Sequence, residues 1–95
     1  MNIRDLKPGM SGVDIDVEVV DVGEARKVVS RGIERDILEL NVKDETGKMM
    51  LVLWDDKIID NLKAGDRIKI ENGFVSSYQG VWRINVGRYA EIKGA

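Results

Sequence analysis

The sequence predicts an all-β domain, a five-stranded Greek-key barrel with one short helix between its third and fourth strands. Three observations carry this expectation. Val13 to Val19 alternates strictly between apolar and acidic residues, the period of a strand with one buried and one wet face. Further apolar runs of strand length follow around Leu38 to Val42, Met49 to Trp54, Ile68 to Ile70 and Val81 to Val86, separated by turn-forming stretches such as Ser30-Arg31-Gly32 and Asp44-Glu45-Thr46-Gly47. One segment alone, Asp55 to Leu62, carries a helix-start signal and helical spacing.

In the first strand the alternation slips. Val20 and Val22 are apolar on the opposite parity, with Asp21 between them and Gly23 after, so a bulge should bend one long strand to serve two sides of a barrel. Its outer face carries Asp14, Asp16 and Glu18, which a polyanion should avoid. Arg26, Lys27, Arg31 and Arg35 then surround Ser30-Arg31-Gly32, the expected tip of a basic hairpin. In the second strand Leu38, Leu40 and Val42 face one way and Glu39, Asn41 and Lys43 the other. At the turn that follows, Gly47 can take positive φ and the Asp44 side chain can bond nearby amides.

The third strand is apolar on both parities. Met49, Leu51 and Leu53 make one face, and Lys48, Met50, Val52 and Trp54 the other, which is expected to meet a partner. Asp55 and Asp56 suit a helix start, with Ile58, Ile59 and Leu62 at helical spacing. Ile68 and Ile70 point inward from the fourth strand, with Arg67 and Lys69 outside, and Gly73 to Gly80 is expected to be a loop holding Phe74 and Tyr78. Val81 to Val86 forms the next strand, and Gly87 breaks it before a last extended piece from Tyr89 to Ile92.

Ninety-five residues, 43% of them hydrophobic, suit one domain with one modest core. The chain has neither cysteine nor histidine, which removes disulfides, thiolate or imidazole metal ligands and the commonest general base. Asp55-Asp56 could ligate magnesium, but helix capping accounts for both, and Ser76-Ser77 has no neighbouring base; the reading is a protein that is not an enzyme and uses no cofactor or metal. A net charge of −2 argues against a duplex binder, which relies on neutralising phosphates. It leaves room for a single-strand binder that stacks bases on aromatic rings within a locally basic groove. None of the chain's five aromatic residues precedes Trp54, an asymmetry that points to rings kept for a flat ligand. The apolar runs are too short for a membrane span or a secretory signal, so a cytoplasmic protein is expected.

A Greek-key barrel with a helix after its third strand is the architecture of oligonucleotide/oligosaccharide-binding (OB) folds, whose ligand crosses strands two and three between two flanking loops. Here the loops would be Ser30 to Glu34, basic, and Gly73 to Gly80, aromatic. Lys48, Arg83 and Arg88 are expected near the groove, Arg31 and Arg35 on the hairpin that closes over it, Val52 among its contacts, and Asn85 within reach of a base edge. Trp82 shares parity with Ile84 and Val86 and is expected in the core, and Tyr89 at the surface.

Leu6-Lys7-Pro8-Gly9-Met10, Asp44-Glu45-Thr46-Gly47, the strand ending in Leu53-Trp54, Gly65-Asp66 before Ile68-Lys69-Ile70, and Gly80 with Asn85 and Gly87 together resemble the archaeal single-stranded DNA-binding proteins and their eukaryotic sensor relatives, a replication protein A-like group. The resemblance runs from about Leu6 to Ile92. It implies base stacking on Trp54, Phe74 and Tyr78. At Trp82 the chain departs from the group, which usually has an aliphatic residue there. Members commonly continue into a flexible tail that recruits other proteins, and this chain ends at Ala95, so residues 1–95 are expected to be one OB domain, either with such a tail removed or as one barrel of a longer polypeptide. The expected activity is sequence-tolerant binding of single-stranded DNA in replication, repair or recombination, with replication or repair proteins as further partners and no membrane or small-molecule substrate. A protein-interaction barrel of a replication complex and a single-stranded RNA-binding module are the alternatives.

Overall fold

The computed structural model describes residues 1–94. Its strands are β1 (Val13–Ser30), β2 (Ile33–Asp44), β3 (Gly47–Trp54), β4 (Arg67–Tyr78), β5 (Val81–Val86) and β6 (Glu91–Gly94). They hydrogen-bond in the order β1-β2-β3-β5-β4-β6, and β1 also pairs with β4, so the first five close into a ring and β6 adds to the lower part of β4. Every pairing is antiparallel except β3 with β5. This is the expected five-stranded barrel.

β1 closes the ring because it changes partners. Val13 to Glu18 pairs with β4, and Glu18 to Ser30 pairs with β2, with register shifts at Val19/Asp21 and Val22/Ala25 where the strand bends. Gly23 lies in the second shift. A Cβ there would stand 2.7 Å from the Glu39 carbonyl oxygen, so the bend brings two backbones closer than any side chain permits. The interior is filled from all five ring strands, by Ile15, Val17, Val19, Leu38, Leu40, Val42, Leu51, Leu53, Ile68, Ile70, Val75, Ile84 and Val86.

Ile3, the first residue of the 3₁₀ turn Ile3–Asp5, and Leu6, just after it, plug one end of the barrel. Asp44 holds that plug. One carboxylate oxygen accepts from the Ile3 amide at 2.8 Å, and the other from the Thr46 amide and hydroxyl at 2.7 and 2.6 Å. Partial burial pushes the Asp44 carboxyl up, but hydrogen bonds from the Thr46 side chain and the backbone amides of Ile3, Thr46 and Gly47 outweigh it and hold the group below its ordinary value.

Three expectations are corrected. The helix from Asp55 to Leu62 is a single 3₁₀ turn, Asp55–Lys57. Asp55 has φ 50, and its carboxylate accepts from the Asp36 amide (3.1 Å) and Arg35 (2.9 Å) instead of capping a helix. Ile58 and Leu62 still pack on the core, so their burial needs no helix, and eight residues gain little from forming one. Phe74 to Tyr78 is strand, not loop: β4 runs to Tyr78, and the hairpin turn is only Gln79-Gly80, both at positive φ (51 and 80) as a type I′ turn requires. Turn-forming residues at Gly73, Ser76 and Ser77 masked an alternation in which Val75 points in and Phe74, Ser76 and Tyr78 point out. The last strand starts at Glu91, not Tyr89, because a turn from Gly87 to Ala90 comes first.

The β1–β2 hairpin extends past the barrel. β3 pairs with β2 only from Ile37 onward and β4 with β1 only as far as Glu18, so the ribbon from Lys27 to Asp36 has no third strand among the described residues.

Candidate nucleic-acid interface

Cross-strand register assembles one outer face from four strands. Glu39 of β2 lies opposite Val52 of β3, Val52 opposite Asn85 of β5, and Asn85 opposite Phe74 of β4. The next row is Asn41, Met50, Arg83 and Ser76, and on the other side Ile37 faces Trp54. Tyr78 faces Val81 at the far end of β4. Period-two alternation therefore places Trp54, Phe74 and Tyr78 on the same surface, with Phe74 and Tyr78 separated by ~13 Å along their strand. Phe74 is 45% exposed and Tyr78 61%, while Trp54 is half-buried. Rings this open on a barrel whose interior is already filled add little to the core.

Beneath the rings the floor is sealed. Val52 and Ile37 are buried on this outer side, not in the barrel interior. Val52 has no exposed surface, so the expectation that it meets a ligand gives way to a supporting place under Trp54 and Asn85. Asn85, expected to reach a base edge, is likewise 2% exposed. Its carbonyl oxygen accepts from the Trp54 indole N–H at 3.2 Å, and its amide donates to Ser76 Oγ at 2.8 Å and the Phe74 carbonyl at 3.4 Å. Both polar atoms of the side chain are engaged within the protein. Asn85 thus ties the Trp54 ring to the backbone that carries Phe74, a link that spacing alone did not reveal.

The basic residues separate into paired and unpaired groups. Arg83 is mostly buried, with Nη1 3.4 Å from the Glu39 carboxylate and its guanidinium 5.4 Å from the centre of the Tyr78 ring. Arg26 also holds Glu39, its Nε donating at 3.0 Å. Arg35 is bound to Asp55 at 2.9 Å, next to Trp54 in sequence. Lys27 bridges Glu34 and Asp36, and those contacts raise its pKa. Lys48 at one end of the face, Arg88 beyond the Trp54 end and Arg31 at the ribbon tip have no carboxylate partner among the described residues. Arg88 instead lies 6.0 Å from the Tyr89 ring centre. Glu39 was visible in the sequence as an outward residue between two inward leucines. That it would face Val52 and hold two arginines depended on strand pairing.

Trp82 is corrected as well. It shares parity with Ile84 and Val86, yet it is 47% exposed, because the β4–β5 hairpin carries it past the filled interior. The acidic surface expected on β1 is present: Asp14, Asp16 and Glu18 line a groove with Asp44, Glu45, Lys43, Arg67 and Lys69 that is separate from the aromatic face. Among the described residues no group of three or more acidic residues is placed to hold a metal ion, and no helix is long and apolar enough to cross a membrane.

Known proteins share this architecture. Residues 21–92 match the family model described as OB-fold nucleic acid binding domain. The single-stranded DNA binding protein Ssb of Saccharolobus solfataricus is 36% identical over 93 residues, covering 98% of this chain, and the chain spans 62% of that relative's length. Among solved structures, the second OB-fold domain of replication protein A from Methanococcus maripaludis superposes with a TM-score of 0.81 at 26% identity, covering 99% of this chain and 92% of that one. An OB domain from Thermoplasma acidophilum has the same fold, with a TM-score of 0.83 at 18% identity over 100% of this chain and 85% of its own. With its five-strand ring, its matched residues and these relatives, the chain belongs to the OB-fold nucleic acid binding domain family.

Proposed function

We propose that this domain binds single-stranded DNA with little regard for sequence, in a cytoplasmic setting of replication, repair or recombination. The observation that carries the reading is the placement of Trp54, Phe74 and Tyr78 on one outer face of β3, β5 and β4. Bases stack on these three rings, and every base offers a π-face, so stacking tolerates sequence. Asn85 holds the Trp54 indole in orientation before the strand arrives, which spares the complex the entropy of ordering it. Lys48, Arg31 and Arg88 neutralise phosphates, since they are the expected contacts with no carboxylate among the described residues to compete. Paired bases cannot present their faces to these rings, so duplex binds weakly. The kinship with Ssb and with replication protein A supports the reading and favours other replication or repair proteins as partners.

Titration of a mixed-sequence DNA strand with tryptophan fluorescence as the signal tests it. Binding should quench emission, and Trp54→Ala should remove ~1–3 kcal/mol of binding while the domain stays folded. With three free cations, the logarithmic salt slope should be roughly −2. Unchanged binding in the alanine variant would sink the stacking assignment. A competing RNA strand of the same sequence that bound more tightly would transfer the reading to RNA.

A further inference from the structure

The parallel pairing of β3 with β5 covers only Met50↔Arg83 to Leu53↔Val86. Ahead of it the two strands part, β3 staying with β2 and β5 with β4. The gap between them is lined by Asn41, Lys48, Met49, Met50, Val81 and Trp82. Trp82 is 47% exposed and Val81 43%, and Lys48 has no carboxylate partner among the described residues. A solvated tryptophan beside two methionines and a free ammonium is not explained by the barrel core, which is complete without it.

We propose that this gap is a fourth nucleobase subsite, with Trp82 as its stacking platform; this rests on the single-strand reading above and extends it. The gap opens directly off the row of rings, since Val81 faces Tyr78 across the β4–β5 ladder. A strand that has stacked on Phe74 and Tyr78 therefore reaches it in one step. The base that follows enters between the strands, lies against the Trp82 indole, and meets the soft thioethers of Met49 and Met50 at its edge. Lys48 takes the adjoining phosphate. An apolar peptide side chain would fill the same gap but leave the Lys48 charge unmatched, and a nucleotide matches both.

The chain has two tryptophans, so each can be made the sole reporter. Trp54→Phe keeps a stacking ring and leaves Trp82 to emit, and Trp82→Phe does the reverse. Both proteins are titrated with deoxythymidine oligomers spanning about 4 to about 16 nucleotides, the range of site sizes of single OB folds. Trp54 emission should be quenched by the shortest oligomers that bind, and Trp82 emission only by longer ones. Trp82→Ala should weaken a long oligomer by roughly 5- to 150-fold, the value of one stacked base, and so shorten the measured footprint. Trp82 emission that no oligomer alters, while Trp54 responds, would overturn the subsite and leave the main face standing. Trp82 emission that instead shifts with protein concentration in the absence of DNA would overturn it in favour of a second copy of the chain. If Trp54 is silent too, it is the single-strand reading that has failed.

Discussion

Replacing Glu39 with glutamine should make this domain bind single-stranded DNA more tightly. Glu39 occupies the same face as the rings, and its carboxylate neutralises two guanidiniums, Arg26 and Arg83. A phosphate that approaches either arginine must compete with it. Glutamine keeps an oxygen for Arg83, whose side chain is only 14% exposed and whose Nε is already buried without a partner among the described residues, but removes the charge. A surface ion pair is worth up to about 1 kcal/mol, and on that scale freeing two cations gives up to about 2 kcal/mol, roughly 30-fold in affinity at low salt. The share from Arg26, 57% exposed, is the smaller. Two further neutralised phosphates should also steepen the logarithmic salt slope by ~1.4. Fluorescence titration of both proteins at several salt concentrations measures the two quantities together. A variant with unchanged slope, or one that binds more weakly, would show that neither arginine reaches a phosphate and that Glu39 only maintains the sheet.

Three other expectations follow from the geometry. Asn85→Ala leaves the Trp54 indole N–H and Ser76 without this partner in a half-buried place, and should cost about 1 kcal/mol of stability in a denaturant melt while also weakening DNA binding through a freely rotating Trp54. Asp44 has a folded pKa below its ordinary 3.8, so its contribution is full above that value and is lost as pH falls through the folded one; thermal melts should show wild type losing stability in that acid window and Asp44→Asn, already weaker by about 1 kcal/mol near neutrality, losing less. Gly23→Ala would press a methyl group to within 2.7 Å of the Glu39 carbonyl oxygen, and should destabilise by about 1–3 kcal/mol, read from the denaturant midpoint.

The barrel was legible in the sequence because its signals are local. The alternation in Val13 to Val19, the phase slip around Val20 and the turn at Asp44 to Gly47 each depend on near neighbours, and all three recur in the fold, although Gly47 does not take the positive φ expected of it. The placement of Trp54, Phe74 and Tyr78 on one face was approachable from parity and family likeness. What sequence could not supply was which side chains of different strands would meet. Asn85 and Trp54 are 31 positions apart, and Glu39 and Arg83 are 44 apart. Only the β3–β5 and β2–β3 registers bring them together. The supposed helix and aromatic loop failed for a related reason: Ile58, Leu62 and Val75 satisfy tertiary burial in whatever backbone form the neighbouring strands impose.

The parallel seam of β3 with β5 also bears on how the molecule assembles. Four register pairs join segments some thirty residues apart, and no barrel exists until the chain has been made as far as Val86. Pairing across that separation is slow to nucleate, so closure should come late in folding. Trp54 stands on one lip of the seam and Phe74 on the far side of β5. A strand lying over both would act as a staple across the last-formed joint, and saturating oligonucleotide should slow unfolding as well as raise the melting temperature.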